Sequence, residues 1–209
     1  MAAVEEIDVD LPHQSDPSIC WATVTSAALR GMGVEAPPNE LQVFWDVKGW
    51  PLELYEGQRK THPVEDALKT YNCDPDIIEF DTYEDGIKSV VRDTLDKALN
   101  WNKIPAIFGL YESGGLLTWK DEAKRGEPYM LGHAILCVRY DPGAHTFKLK
   151  DPAQGNEYTH SELDLFENGF HYMNAEQFGP KARTRVNVPA DGTSIRMVVR
   201  KIIVPRKPS

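Results

Sequence analysis

The spacing of apolar residues changes near Lys103, and this change limits the folds open to the chain more than any other feature. Before it, apolar side chains recur at helical intervals. Ile87, Val90, Val91, Leu95, Ala98 and Leu99 form one stripe within YEDGIKSVVRDTLDKALNW, and Val64, Ala67, Leu68 and Tyr71 form another within HPVEDALKTY. A shorter helix is predicted from Asn39 to Val47, and Lys48 to Lys60 reads as loop. After Lys103 the apolar runs have strand length: IPAIFGLY, HAILCVRY, the alternating TFKLKD and the β-branched SIRMVVRKIIV. A short helix is placed near Ser161 to Phe166, and the tail VPRKPS is expected to fray. Helices first and strands second is the α+β pattern. At 209 residues the chain is expected to be one domain, with a helical lobe over about 11–102 and a β lobe over about 103–204.

The first helix carries the chemistry. In HQSDPSICWATVTSAALRG, Cys20, Val24, Ala27, Ala28 and then Met32 recur at helical spacing. Asp16 or Ser18 can cap its start, Pro17 suits a first turn, and Gly31 and Gly33 end it. Small residues at Ala22, Ala27 and Ala28 suit a buried central helix. Cys20 then lies in the first turn, where free N–H groups and the helix dipole favour a thiolate. Such a thiolate becomes a nucleophile when a histidine is brought back to it in space and a third group orients that histidine.

Composition removes several other functions. The net charge is −9, so the basic footprint of a nucleic-acid binder is absent. No apolar run approaches the roughly 18–20 residues that span a bilayer. The start MAAVEEIDVDLP lacks the basic end and apolar stretch of a secretory signal, so a cytoplasmic protein, or one exported without a classical signal, is expected. The three cysteines form no C-x-x-C, which points away from disulfides and structural zinc and toward a reducing compartment. Cys73, after a helical stretch, and Cys137, within an apolar strand, read as small buried hydrophobes. No metal or organic cofactor is implied.

Among the six histidines, His133 stands apart. It follows Gly132 at the mouth of an apolar strand, after a loop over 111–131 long enough to be functional. His62 and His160 lie near expected helix starts, His145 in a turn and His171 near a loop, while the helix turn is expected to point His13 away from Cys20. HAILCVRY and TFKLKD flank DPGAH, a good hairpin turn. Positions 133 and 151 are centred on Pro142, within that turn, so the hairpin brings Asp151 nearly opposite His133. Alternation puts Asp151 on the apolar face with Phe147 and Leu149, where a carboxylate needs a partner. The alternative is that Asp151-Pro152 only ends the strand. Acyl transfer also needs oxyanion donors, and the Cys20 N–H and the amide of Gln14, just upstream, can supply them.

This set resembles the papain-like cysteine peptidases. In that superfamily a glutamine precedes C-W at this spacing, the cysteine begins a central helix, a histidine opens a later strand, and an asparagine or aspartate follows on the next. Gln14, Cys20-Trp21-Ala22, Gly132-His133-Ala134-Ile135 and Lys150-Asp151-Pro152 occupy those places. The GHAILCVRYD and KDPAQG version is more similar to the bacterial branch, which includes bacteriocin-leader peptidases and papain-like effectors of plant pathogens. The likeness runs over about 11–166. It implies a helical N-terminal half with a buried central helix packed on an antiparallel sheet. It also implies a thiol hydrolase acting on a peptide or protein through Cys20, His133, Asp151 and Gln14, and a bacterial effector or toxin as one setting. Trp21 is expected to pack beside the site, and the loop around Trp119 to form one wall of the cleft. Two other functions use the same residues or fold: an acyltransferase of the transglutaminase type, and a peptide-binding module without catalysis.

Overall fold

The helical stripes and the β-branched runs become the two parts of an α+β fold. The computed structural model describes residues 4–16, 19–49, 63–112, 133–153, 155–174 and 194–208. Among these lie α1 (Cys20–Gly31), α2 (Glu40–Lys48), α3 (Pro63–Thr70) and α4 (Asp85–Leu95). The strands are β1 (Asp76–Glu79), β2 (Ala106–Glu112), β3 (His133–Asp141), β4 (Thr146–Lys150), β5 (Glu157–Ser161), β6 (Phe170–Asn174) and β7 (Ser194–Val204). They form one sheet in the order β1-β7-β2-β3-β4-β5, with β6 also paired to β7. Every pair is antiparallel. Of the expected features, Pro17 and Ser18, residues 50–60 of the first loop, His62, residues 113–131 of the second with Trp119, and Gly132 lie outside the described residues, whereas Lys48 closes α2 and Tyr111 and Glu112 belong to β2.

α1 is the buried central helix its small residues lead one to expect: every residue from Cys20 to Leu29 is buried. A helix holding Thr23, Thr25 and Ser26 survives this because each hydroxyl has an acceptor. Thr25 Oγ1 donates to Trp21 O (2.7 Å), Ser26 Oγ to Pro38 O (2.6 Å), and Thr23 Oγ1 to the Glu40 carboxylate. α1 packs on β3, β2, α2 and α3. Its end differs slightly from expectation. Gly31 is still helical, and its missing Cβ makes room for Pro105, whose Cγ would lie 3.0 Å from one. Gly33 takes the left-handed turn at φ +73°.

Three further elements depart from the sequence reading. The stripe of α4 buries Val91, Leu95, Ala98 and Leu99 but leaves Val90 at 49% exposure. The helix widens into a π-type turn at Asp96–Trp101, which shifts the phase of everything after it. The short helix expected near 161–166 is centred later, with a π-type turn at Asp164–Asn168. The tail is held rather than frayed: Pro205 is buried, and Arg206 Nε donates to Asp76 Oδ2 at 3.1 Å. No helix among the described residues is long and apolar enough to cross a membrane.

Aromatic rings join the strands to the turn after β5. Tyr140 stacks on Phe147 with centroids 4.6 Å apart, and Phe166 meets Phe147, Phe108, Phe80 and Tyr83 at 4.7–5.9 Å. Phe166 is fully buried at the centre of that group. Phe166→Ala is therefore expected to cost about 3–5 kcal/mol, because neighbours on several elements cannot all collapse into the void. Urea unfolding of the variant measures it, through a lower midpoint at unchanged slope.

The segment before α1 lies along the β3–β4 hairpin. A β-bulge between Cys137 and Arg139 interrupts the pairing of β3 with β4, and the Val138 carbonyl there accepts Ile7 N–H at 3.0 Å. Ile7 and Val9 are buried, and Lys150 Nζ donates to Val9 O at 3.0 Å. These contacts bring residues 4–16 past the end of β4 and up to the start of α1.

Candidate active site

Cys20 is the first residue of α1, after Ile19 as N-cap. Ala22 N–H and Thr23 N–H donate to Ile19 O, while the backbone N–H groups of Trp21 and Ala134 lie near enough to the Cys20 sulfur to favour its anion. Helix start and strand start therefore face each other, since His133 is the first residue of β3 and hydrogen-bonds the Cys20 thiol. On its other side His133 Nε2 meets Asp151 Oδ1 at 2.8 Å. That leaves Nδ1 as the ring nitrogen directed at sulfur.

The hairpin delivers Asp151 by a register slightly different from the symmetric one. Leu136 pairs with Lys150 and Cys137 with Leu149, whereas beyond the bulge Tyr140 pairs with Phe147. Continued past β4, this register sets Asp151 beside Ile135, two residues along from His133 and on the same face. The contact is diagonal rather than directly opposite, a separation that side chains of this length reach. Phe147, Leu149 and Asp151 are all buried, in line with the alternation. Asp151 is more than a strand end: its Oδ1 also accepts Ala153 N–H (2.8 Å), and its backbone closes the turn through Asp151 N to Asn156 O and Gly155 N to Asp151 O. Gly155, at φ +64°, supplies the left-handed residue of that turn.

Burial and charge act against each other here. Burial pushes the Cys20 thiol up, but the His133 charge, the His133 hydrogen bond and the two backbone N–H donors outweigh it, and the thiol is held below its ordinary range. Burial likewise pushes His133 down, yet Cys20 and Asp151 together hold the imidazole well above its ordinary range. Both directions favour the thiolate–imidazolium form of the pair over the neutral one. The other two thiols behave oppositely, since burial raises both Cys73 and Cys137 and no imidazole counters it.

Gln14 joins the site through its backbone. Its N–H donates to Pro152 O at 2.8 Å, directly after Asp151. The residue is 7% exposed, and its Oε1 is buried without a hydrogen-bond partner. His13 is exposed, with Nδ1 2.9 Å from Gln14 O. Trp21 packs as expected, on Phe44 with ring centroids 5.9 Å apart and with Lys48 Nζ over its ring. His145 lies 3.3 Å from Glu162, and His160 stacks near Tyr158 within β5. Among the described residues no group of three or more His, Cys, Asp or Glu side chains is arranged to hold a metal ion.

No protein-family model matches the chain, and no curated protein matches it. Among solved structures, one similar chain is a double glycine motif protease from an AMS/PCAT transporter, in complex with the leader peptide. It is 12% identical, the match covers 97% of this chain and 94% of that one, and the TM-score is 0.47.

Two contributors escaped the sequence reading. The Pro152 carbonyl that holds Gln14 is backbone, and no side-chain pattern signals it. Glu40 accepts Ser15 N–H at 3.0 Å through Oε1 and the Thr23 hydroxyl through Oε2. In the sequence it reads as an ordinary acidic residue in the first turn of a helix, after the N-cap Asn39.

Proposed function

We propose that the chain is a thiol hydrolase of papain-like arrangement, a cysteine peptidase acting on a peptide or protein. One observation carries this reading: a buried thiol at the start of a helix faces an imidazole at the start of a strand, and a buried carboxylate holds that imidazole at 2.8 Å. Burial alone gives an inert cysteine, as at Cys137. The order of glutamine, cysteine, histidine and aspartate along the chain supports the same reading.

The chemistry follows from the roles. Cys20 thiolate attacks the carbonyl carbon; a C–S bond forms and the carbonyl π pair moves onto oxygen. Cys20 N–H and the Gln14 amide donate to that oxyanion. On collapse the C–N bond breaks, and the leaving amine takes the His133 proton. His133, now neutral, accepts a proton from water as it attacks the thioester, and the carboxylic acid product leaves with Cys20 restored. Asp151 holds His133 and stabilises its charged form throughout.

Alkylation of the folded protein with iodoacetamide at neutral pH, mapped by mass spectrometry, is the direct test. Cys20 is expected to react first. Labelling of Cys73 or Cys137 ahead of it would overturn the assignment, and no labelling of any thiol would favour a binding module. Incubation with a mixed peptide library and a labelled amine then reads the acceptor. Cleaved peptides with free carboxyl ends are expected, whereas amine-capped ends would make the enzyme an acyltransferase.

A further inference from the structure

Glu40 lies at the start of α2, half-buried, and holds two pieces of the site at once. Its Oε1 accepts the N–H of Ser15, which belongs to the peptide unit leaving Gln14. The peptide unit entering Gln14 is fixed independently, because Gln14 N–H donates to Pro152 O. Both peptide planes around the Gln14 Cα are thereby set, and with them the direction in which its side chain departs. Glu40 Oε2 accepts the hydroxyl of Thr23, one turn beyond Cys20 on α1. Thr23 has a single hydroxyl proton. Ile19 O, its other neighbour, already accepts Ala22 N–H and Thr23 N–H, so that proton belongs to the carboxylate.

We propose that Glu40 is a positioning residue for the oxyanion site, locking the segment of Gln14 to the helix whose first N–H is the second donor. This rests on the thiol-hydrolase reading above. A carboxylate suits the task because it offers two acceptor oxygens to two donors. Glutamine at the same place keeps one acceptor and turns an NH₂ toward the other donor.

The test uses p-nitrophenyl acetate, which acylates a thiolate through a tetrahedral oxyanion and needs no knowledge of the natural sequence. Sulfur bonds to the acetyl carbon, p-nitrophenolate leaves with the electron pair of the ester bond, and Cys20 becomes a thioester. Iodoacetamide reacts at the same sulfur without an oxyanion and serves as the contrast. Glu40→Ala is expected to slow acylation about tenfold and Gln14→Ala on the order of 10²–10³-fold, with the double variant no slower than Gln14→Ala alone. Glu40→Gln should fall between wild type and Glu40→Ala. The pH profile of iodoacetamide alkylation should stay at wild type in all of them. Additive losses in the double variant overturn the inference, as does a Glu40→Ala defect equal in acylation and alkylation, which marks a structural role. Wild-type protein with no acetylation that depends on Cys20 overturns the thiol-hydrolase reading and this inference with it.

Discussion

Cys20→Ala is expected to remove peptide turnover altogether, a loss on the order of 10⁶-fold in kcat for a residue that makes the covalent bond. The fold should remain, because alanine is well tolerated at the start of a helix and α1 keeps its other contacts. A second effect separates this variant from generic damage. Burial lowers the His133 pKa, and the charge of Cys20 leads the groups that raise it. Without the thiolate, His133 should titrate at lower pH than in the wild type, as followed by NMR of the imidazole protons. A Cys20→Ala protein that still cleaves peptide would show that another group is the nucleophile.

Asp151→Ala is expected to lower kcat by about 10²–10⁴-fold and to change the shape of the pH profile. Activity requires the thiolate and the imidazolium together, so it spans the interval from the lowered Cys20 pKa to the raised His133 pKa. Removing Asp151 takes away a group that raises His133, and the alkaline limb moves to lower pH. A less charged imidazole then supports the thiolate less, and the acid limb moves to higher pH. The interval narrows from both sides. Gln14→Ala should behave differently: kcat falls with both limbs in place, since its amide meets charge that develops only during the reaction. Wild-type rate and limbs in Asp151→Ala would reduce the site to a Cys20–His133 dyad.

What could be read from the amino-acid order depended on how strong each local pattern is. β7 was legible to its ends because eleven residues rich in Val and Ile have little other use. β1, β5 and β6 were not. Asp76–Glu79 is an edge strand with Ile77 40% exposed, and EYTHS carries too few apolar residues to alternate. The pairing of His133 with Asp151 followed from hairpin symmetry, while the diagonal offset depends on a bulge that no residue type announces. The burial of α1 was legible in its small residues Ala22, Ala27 and Ala28, but the partners of its hydroxyls were not. Thr23, Thr25 and Ser26 find acceptors on a distant side chain, on their own helix and on the chain before α2, and only the folded chain shows them.

The acidified thiol belongs to the contact between a helix start and a strand start that lie far apart along the chain. During synthesis α1 emerges long before β3 and β4, and until that hairpin docks Cys20 has neither imidazole nor carboxylate near it. In that interval the sulfur is an ordinary, mostly protonated thiol. Under the proposed thiol-hydrolase function, the growing chain would carry its nucleophile in an unarmed form, and a fragment that stops short of His133 would stay unarmed. Reactivity arrives only with the completed tertiary structure, so a chain of this design is spared from attacking itself, or its neighbours on the ribosome, while it is still being made.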